Sequence, residues 1–136
     1  MSAAALATVQ SLYAAFARGD VMSMLELMTD DAVWHFVGDR AAPYTGRFEG
    51  RARIGEWFGR VAQVDLIQSF EPREFFVGPD HVTVLGRERT TSRTSGKVFE
   101  CDWVHVFQLR EGRVARFVGL LDSEASGAAR AAGGAR

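Results

Sequence analysis

His105, Arg87 and Arg89 are the residues whose types and spacing could do chemistry in this sequence. In an extended segment Trp103, His105, Phe107 and Leu109 share one face, opposite Asp102, Val104, Val106 and Gln108. An imidazole there can take or give a proton near neutrality. A lone histidine among aromatics can equally be a satisfied core residue, and the residues alone leave both open. Arg87 and Arg89 point together with Thr91, opposite Gly86, Glu88 and Thr90. Placed inward, they need anionic partners, because an unpaired buried charge costs several kcal/mol. Glu74, Glu88 or Asp102 could supply that charge internally. A carboxylate, enolate or phosphate on a ligand could supply it instead.

The elements that must position these groups belong to one domain. The chain has 136 residues, 47% of them apolar, with 16 Lys+Arg against 17 Asp+Glu for a net charge of −1. A nucleic-acid binder carries a basic excess or stripe, which this balance lacks. Lys97 is the only lysine, so every other basic side chain is arginine, the residue suited to planar bidentate partners. Cys101 is the only cysteine, which rules out an internal disulfide framework. No run reaches the ~18 apolar residues of a membrane span, and no secretory leader pattern opens the chain. A soluble, cytoplasmic domain is expected. His35, His81 and His105 lie far apart, with no paired-histidine spacing, no Gly-rich phosphate loop and no nucleophile elbow. No metal and no cofactor is called for.

Leu6, Val9, Leu12, Tyr13 and Phe16 recur at helical spacing, with Gly19 placed to end the helix. Asp20 then reads as the N-cap of a short helix burying Val21, Met24, Leu25 and Met28. Residues 32–37 read as a strand and residues 38–50 as a long loop. Residues 51–64 recover helical spacing through Ile54, Trp57, Phe58 and Val61. Four strands follow at 66–76, 81–91, 98–109 and 113–121, separated by Gly78-Pro79-Asp80, Ser95-Gly96 and Glu111-Gly112. Pro72 demotes part of the first to an edge or a bulge. Residues 1–122 form the domain. The Ala/Gly-rich tail at 123–136, with no large apolar residue, is expected to fray.

Helices followed by strands predict an α+β fold with helices on one face of a curved sheet. Val114, Val118 and Leu120 oppose Phe117 and Leu121, so the last strand is apolar on both faces. A half-solvated antiparallel sheet alternates more cleanly. The second face is expected to meet a second subunit, giving a homodimer through the sheet.

Several segments carry a family resemblance: Tyr13-Ala-Ala-Phe-Ala-Arg-Gly-Asp20, Met28-Thr-Asp-Asp-Ala-Val-Trp34, Tyr44-Thr-Gly followed by Gly-Arg, and the run from Trp103 to Phe117. In this order they resemble the nuclear-transport-factor-2-like (NTF2-like) superfamily, in its SnoaL-like and ketosteroid-isomerase-related branch. The resemblance implies a cone, made by a strongly curved mixed or antiparallel sheet wrapped around the N-terminal helices, with a largely apolar pocket inside. It places Tyr13, Trp34, Phe36, Tyr44, Arg87, Trp103 and Phe107 as ligand-binding residues. Trp34 and Trp103 can equally be core filling.

Carried over residue by residue, the catalytic set is incomplete. The general-base aspartate of ketosteroid isomerases falls on Phe36, their oxyanion-side aspartate on His105, and their first-helix tyrosine on Leu12 or Tyr13. The arginine of limonene-epoxide-hydrolase-type members falls on Arg89, but its flanking aspartates become Thr91 and Gly119. Neither mechanism transfers intact. Asp39, in the loop with Arg40 and Tyr44, is the carboxylate nearest the lost base position and the fallback base. The superfamily hosts many activities, and two readings remain. One is a cofactor-free isomerase, cyclase or dehydratase acting on a small apolar carbonyl compound, with His105 as acid/base, Arg87 or Arg89 stabilising negative charge and Asp39 as base. The other is a binding protein that holds a small apolar ligand without turnover.

Overall fold

The computed structural model describes residues 2–38 and 41–134, in the element order α1 (Ser2–Ala17), α2 (Val21–Glu26), β1 (Met28–Val37), β2 (Gly46–Glu49), α3 (Arg51–Val64), β3 (Asp65–Val77), β4 (His81–Ser92), β5 (Val98–Arg110), β6 (Arg113–Leu121) and α4 (Ser123–Gly134). Gly19 ends α1 in the left-handed region at φ 70°, where side chains are strained. Asp20 caps α2 by accepting from the Ser23 backbone N–H at 3.1 Å. Glu111 and Gly112, both at positive φ, make the tight connection from β5 to β6.

The six strands form one open sheet in the order β2-β1-β6-β5-β4-β3. All neighbours pair antiparallel except β1 and β6, which run parallel. β3 is an edge strand, and its register shifts between Ile67 and Ser69 and again between Pro72 and Glu74. Bulges of this kind bend a strand and sharpen its twist. The curl is strong enough that α3 touches β1 and β2 at one edge and β3 at the other. Helices α1 and α3 therefore lie inside the curve, over a core of Val9, Met24, Met28, Ile54, Val82, Val84 and Phe107.

Three features depart from the sequence reading. The loop after β1 contains a strand, β2, because Arg47 and Phe48 continue the sheet alongside His35 and Trp34. β1 begins at Met28 and carries Asp30 and Asp31 through a register shift, where Arg51 and Arg110 pair with them at 2.8 and 2.6 Å. Residues expected to fray instead form α4. Its Ala125 and Ala129 pack against Phe99, Cys101 and Leu121, and Arg130 is only 8% exposed. Small residues let this helix approach closely, and a buried ion pair holds it, so no large apolar residue was needed.

Candidate functional site

The inner face of the sheet is set by register. His105 lies opposite Val84 on β4 and Gly119 on β6, and Trp103 lies opposite Gly86 and Leu121. Phe107 and Phe117 face each other one step further along, beside Trp34 on β1. These side chains, with Tyr13 from α1, Phe36, Tyr44 and Trp57, line a cavity inside the cone. The cavity volume is about 60 Å³, several times what one water needs.

Tyr13 Oη lies 2.7 Å from His105 Nδ1. Burial pushes the His105 imidazole down to about 3, and pushes the Tyr13 phenol well above its usual range. Both groups are therefore neutral at pH 7. The tautomer sets the direction of this bond: with the imidazole hydrogen on Nε2 the phenol donates and Nδ1 accepts, and with it on Nδ1 the imidazole donates to the phenol oxygen. His105 also stacks on Trp103, with centroids 4.0 Å apart.

A second polar group lies further along β4. Glu88 is buried, accepts a hydrogen bond from Thr90 Oγ1 at 2.5 Å, and lines the same cavity. Burial raises its carboxyl to about 6, against the opposing effect of the Thr90 hydroxyl and of Arg130. Nearby, Arg130 of α4 forks onto Asp65, with Nη1 to Oδ1 at 2.8 Å and Nη2 to Oδ2 at 3.1 Å. Its Nη2 also donates to Tyr44 Oη at 2.7 Å, and the Tyr44 hydroxyl donates to Asp65 Oδ2. Trp57 fixes the Tyr44 loop by donating Nε1–H to the Tyr44 carbonyl at 2.7 Å. α4 thus covers the inner face beyond Trp103 through a fully engaged ion pair, while Glu88 stays available to the cavity.

The structure brings together His105, Tyr13, Trp34, Phe36, Tyr44, Trp103 and Phe107. Arg87 and Arg89 are elsewhere. They point to the outer face of the sheet, 37% and 49% exposed, where Arg87 pairs with Asp102 at 2.9 Å and Arg89 with Glu100 at 2.7 Å. The expectation of two inward arginines is thus corrected, and Glu88 between them is the inward residue. The signal was in the sequence: Val82, Val84, Gly86, Glu88 and Thr90 share one phase, and the valines mark it as the core side. Asp39 lies outside the described residues. Asp65 and Arg130 left little trace, since their pairing joins positions 65 residues apart.

Comparisons with known proteins agree with this architecture. A SnoaL-like domain model matches residues 9–117. An NTF2-like protein from Burkholderia xenovorans superposes with a TM-score of 0.87 at 25% identity, covering 96% of this chain and 98% of that one. An NTF2-like protein of unknown function from Burkholderia pseudomallei gives 0.79 at 27% identity, covering 91% and 94%. TerC, co-crystallised with polyporic acid, gives 0.82 at 25% identity, covering 94% and 98%. No curated protein sequence matches. No helix among the described residues is long and apolar enough to cross a membrane. With the family model spanning most of the domain and the curved sheet enclosing an aromatic cavity, the chain belongs to the SnoaL-like family within the NTF2-like superfamily.

Proposed function

We propose that the cavity binds a small, mostly apolar carbonyl compound and catalyses a cofactor-independent proton transfer of the isomerase, cyclase or dehydratase type. The observation that carries this reading is Glu88, a buried carboxyl raised to about 6 that lines the same cavity as neutral hydrogen-bond donors. A base poised near the working pH is what general acid–base catalysis needs. Glu88 removes a proton from the carbon beside a carbonyl, the electron pair moves onto the carbonyl oxygen, and neutral N–H donors stabilise the developing charge. Glu88 then returns the proton at a second position. His105 serves as one such donor through Nε2–H, because an imidazole held down at about 3 is not an acid at pH 7. Arg89 takes no part, since it lies on the outer face. The likeness to TerC, crystallised with polyporic acid, supports a small-molecule ligand.

The protein is proposed to act as a cytoplasmic homodimer through the outer face of the sheet. Val104, Val106, Val118 and Leu120 adjoin there across β5 and β6, and Leu120 is 42% exposed in the single chain. Light scattering at micromolar concentration tests this, and a monomer would overturn it.

The catalytic reading is tested with 2-tetralone in deuterium oxide, following exchange of the protons beside its carbonyl by NMR. Exchange faster than buffer, rising with pH through about 6 and lost in Glu88→Gln, is expected. Binding of the ketone with exchange no faster than buffer would overturn it, in favour of the non-catalytic binding protein.

A further inference from the structure

Glu88 lies between Gly86 and Thr90 on the buried phase of β4. The notch at Gly86 is filled by the Trp103 ring, which a Cβ on residue 86 would approach to 2.1 Å. On the other side Thr90 is fully buried, and its hydroxyl donates to Glu88 Oε2 at 2.5 Å. An O–H···O⁻ bond of this length belongs to the strong, charge-assisted class.

Shape alone does not ask for threonine here. Residue 90 is paired with Ile67 on β3 and Phe99 on β5, and valine would fill the same outline. What threonine adds is the hydroxyl. Its β-branched side chain is stiff about χ1, and the close-packed interior keeps it from turning. The hydroxyl is therefore a fixed post, and its bond back along the strand sets how the carboxylate lies.

The charged and ionisable groups around Glu88 act on it by charge. Asp65 raises its carboxyl and Arg130 lowers it, and those two are engaged with each other. Cys101, opposite Glu88 on β5, is pushed up to about 12 by burial. Burial also pushes the Tyr44 phenol well above its usual range, so both groups are neutral at pH 7. The bond that orients the carboxylate comes from Thr90.

We propose that Thr90 is the positioning residue for proton transfer: its hydroxyl holds Glu88 Oε2, so the carboxylate meets the substrate in one orientation and takes the proton on Oε1. This rests on Glu88 being the base of the site. The C–H bond beside the carbonyl breaks, an O–H bond forms on Oε1, and the freed pair leaves the negative charge on the carbonyl oxygen. Thr90 keeps its own hydrogen and touches no reacting atom. Its bond favours the charged carboxylate, so it makes Glu88 a weaker base than burial alone would. That opposition gives the test its sign. Losing a group that only tunes basicity would speed the transfer at high pH. Losing a group that holds the base in place slows it.

The experiment follows 2-tetralone exchange in deuterium oxide against pH for the full chain, Thr90→Val and Thr90→Ser. The ¹³C resonance of Glu88 Cδ is titrated separately, without ketone. Glu88→Gln assigns that resonance, and the ¹⁵N–¹H spectrum of each variant reports that it folds. Thr90→Ala, which lacks the hydroxyl with less volume, repeats the valine measurement. Thr90→Val should bind the ketone within twofold of the parent but exchange it about tenfold more slowly on the high-pH plateau. Its Cδ midpoint should rise from about 6 by about one to two pH units, the loss of one charge-assisted hydrogen bond. Thr90→Ser keeps the hydroxyl and should stay within about threefold in rate, with its midpoint near the parent's. A valine variant as fast as the parent on the plateau, an unmoved Cδ midpoint, or a serine variant as slow as the valine one would overturn the proposal and leave Glu88 as the base. A parent that exchanges no faster than buffer would overturn the base reading and this role together.

Discussion

Tyr13 Oη and His105 Nδ1 stand 2.7 Å apart, tying the first helix to the fifth strand inside the cone. Removing the hydroxyl with Tyr13→Phe leaves Nδ1 buried without its hydrogen-bond partner. The expected loss is about 1–3 kcal/mol of unfolding free energy. Urea titration measures it, and adding His105→Phe should recover part of the loss, since both partners are then apolar. A Tyr13→Phe protein as stable as the parent would show that the contact contributes nothing.

The pH dependence of stability separates two buried groups. Burial lowers His105 from 6.5 to about 3 and raises Glu88 from 4.5 to about 6. As pH falls below 6.5, the unfolded chain protonates His105 and the folded chain does not, so stability falls by up to about 1.4 kcal/mol per pH unit. As pH falls from 6 to 4.5, the folded chain protonates Glu88 and the unfolded chain does not, so stability rises at a similar slope. The two effects offset in that window, and the histidine acts unopposed below it. In Glu88→Gln the decline should run unbroken from pH 6.5 downward. Urea unfolding at stepped pH checks this, and parallel curves for the two proteins would contradict it.

The Arg130–Asp65 pair is 6% and 2% exposed in its side chains. Arg130→Met strands a carboxylate in the interior and should cost about 3–5 kcal/mol. Asp65→Asn on top of it removes that charge and should restore much of the loss. Thermal melts of the two single variants and the double variant give the coupling, and strict additivity would refute it.

Arg87 and Arg89 carry the opposite expectation. Their partners Asp102 and Glu100 are 79% and 48% exposed. Alanine at either arginine should change stability by less than about 1 kcal/mol. Binding of 2-tetralone should stay within twofold of the parent, because neither side chain lines the cavity. A tenfold loss would return them to the site.

Much of the fold was legible because its periodicities are local. The helix at Arg51–Val64 and the strand at Arg113–Leu121 have the bounds that spacing and turn residues predicted. The inner face of β5 was legible too, since Trp103, His105 and Phe107 alternate with smaller residues. β4 was misread because both of its phases carry charge between residues 86 and 91, and only Val82 and Val84 break the tie. α4 escaped because its anchor is a single long-range ion pair, and an Ala-rich stretch with one arginine gives no local sign of a buried partner. The part that rests on long-range pairing, Asp65 with Arg130, was the part that pattern could not reach.

The notch at Gly86 has a consequence for how this protein can diverge. Trp103 lies flat on that glycine, and even the smallest side chain there would collide with the indole. The two positions are therefore coupled across β4 and β5: residue 86 cannot grow until residue 103 has changed. A lineage that enlarges residue 86 must first surrender the tryptophan, and with it the ring that stacks on His105. The cavity wall in such descendants would then change in one step rather than drift.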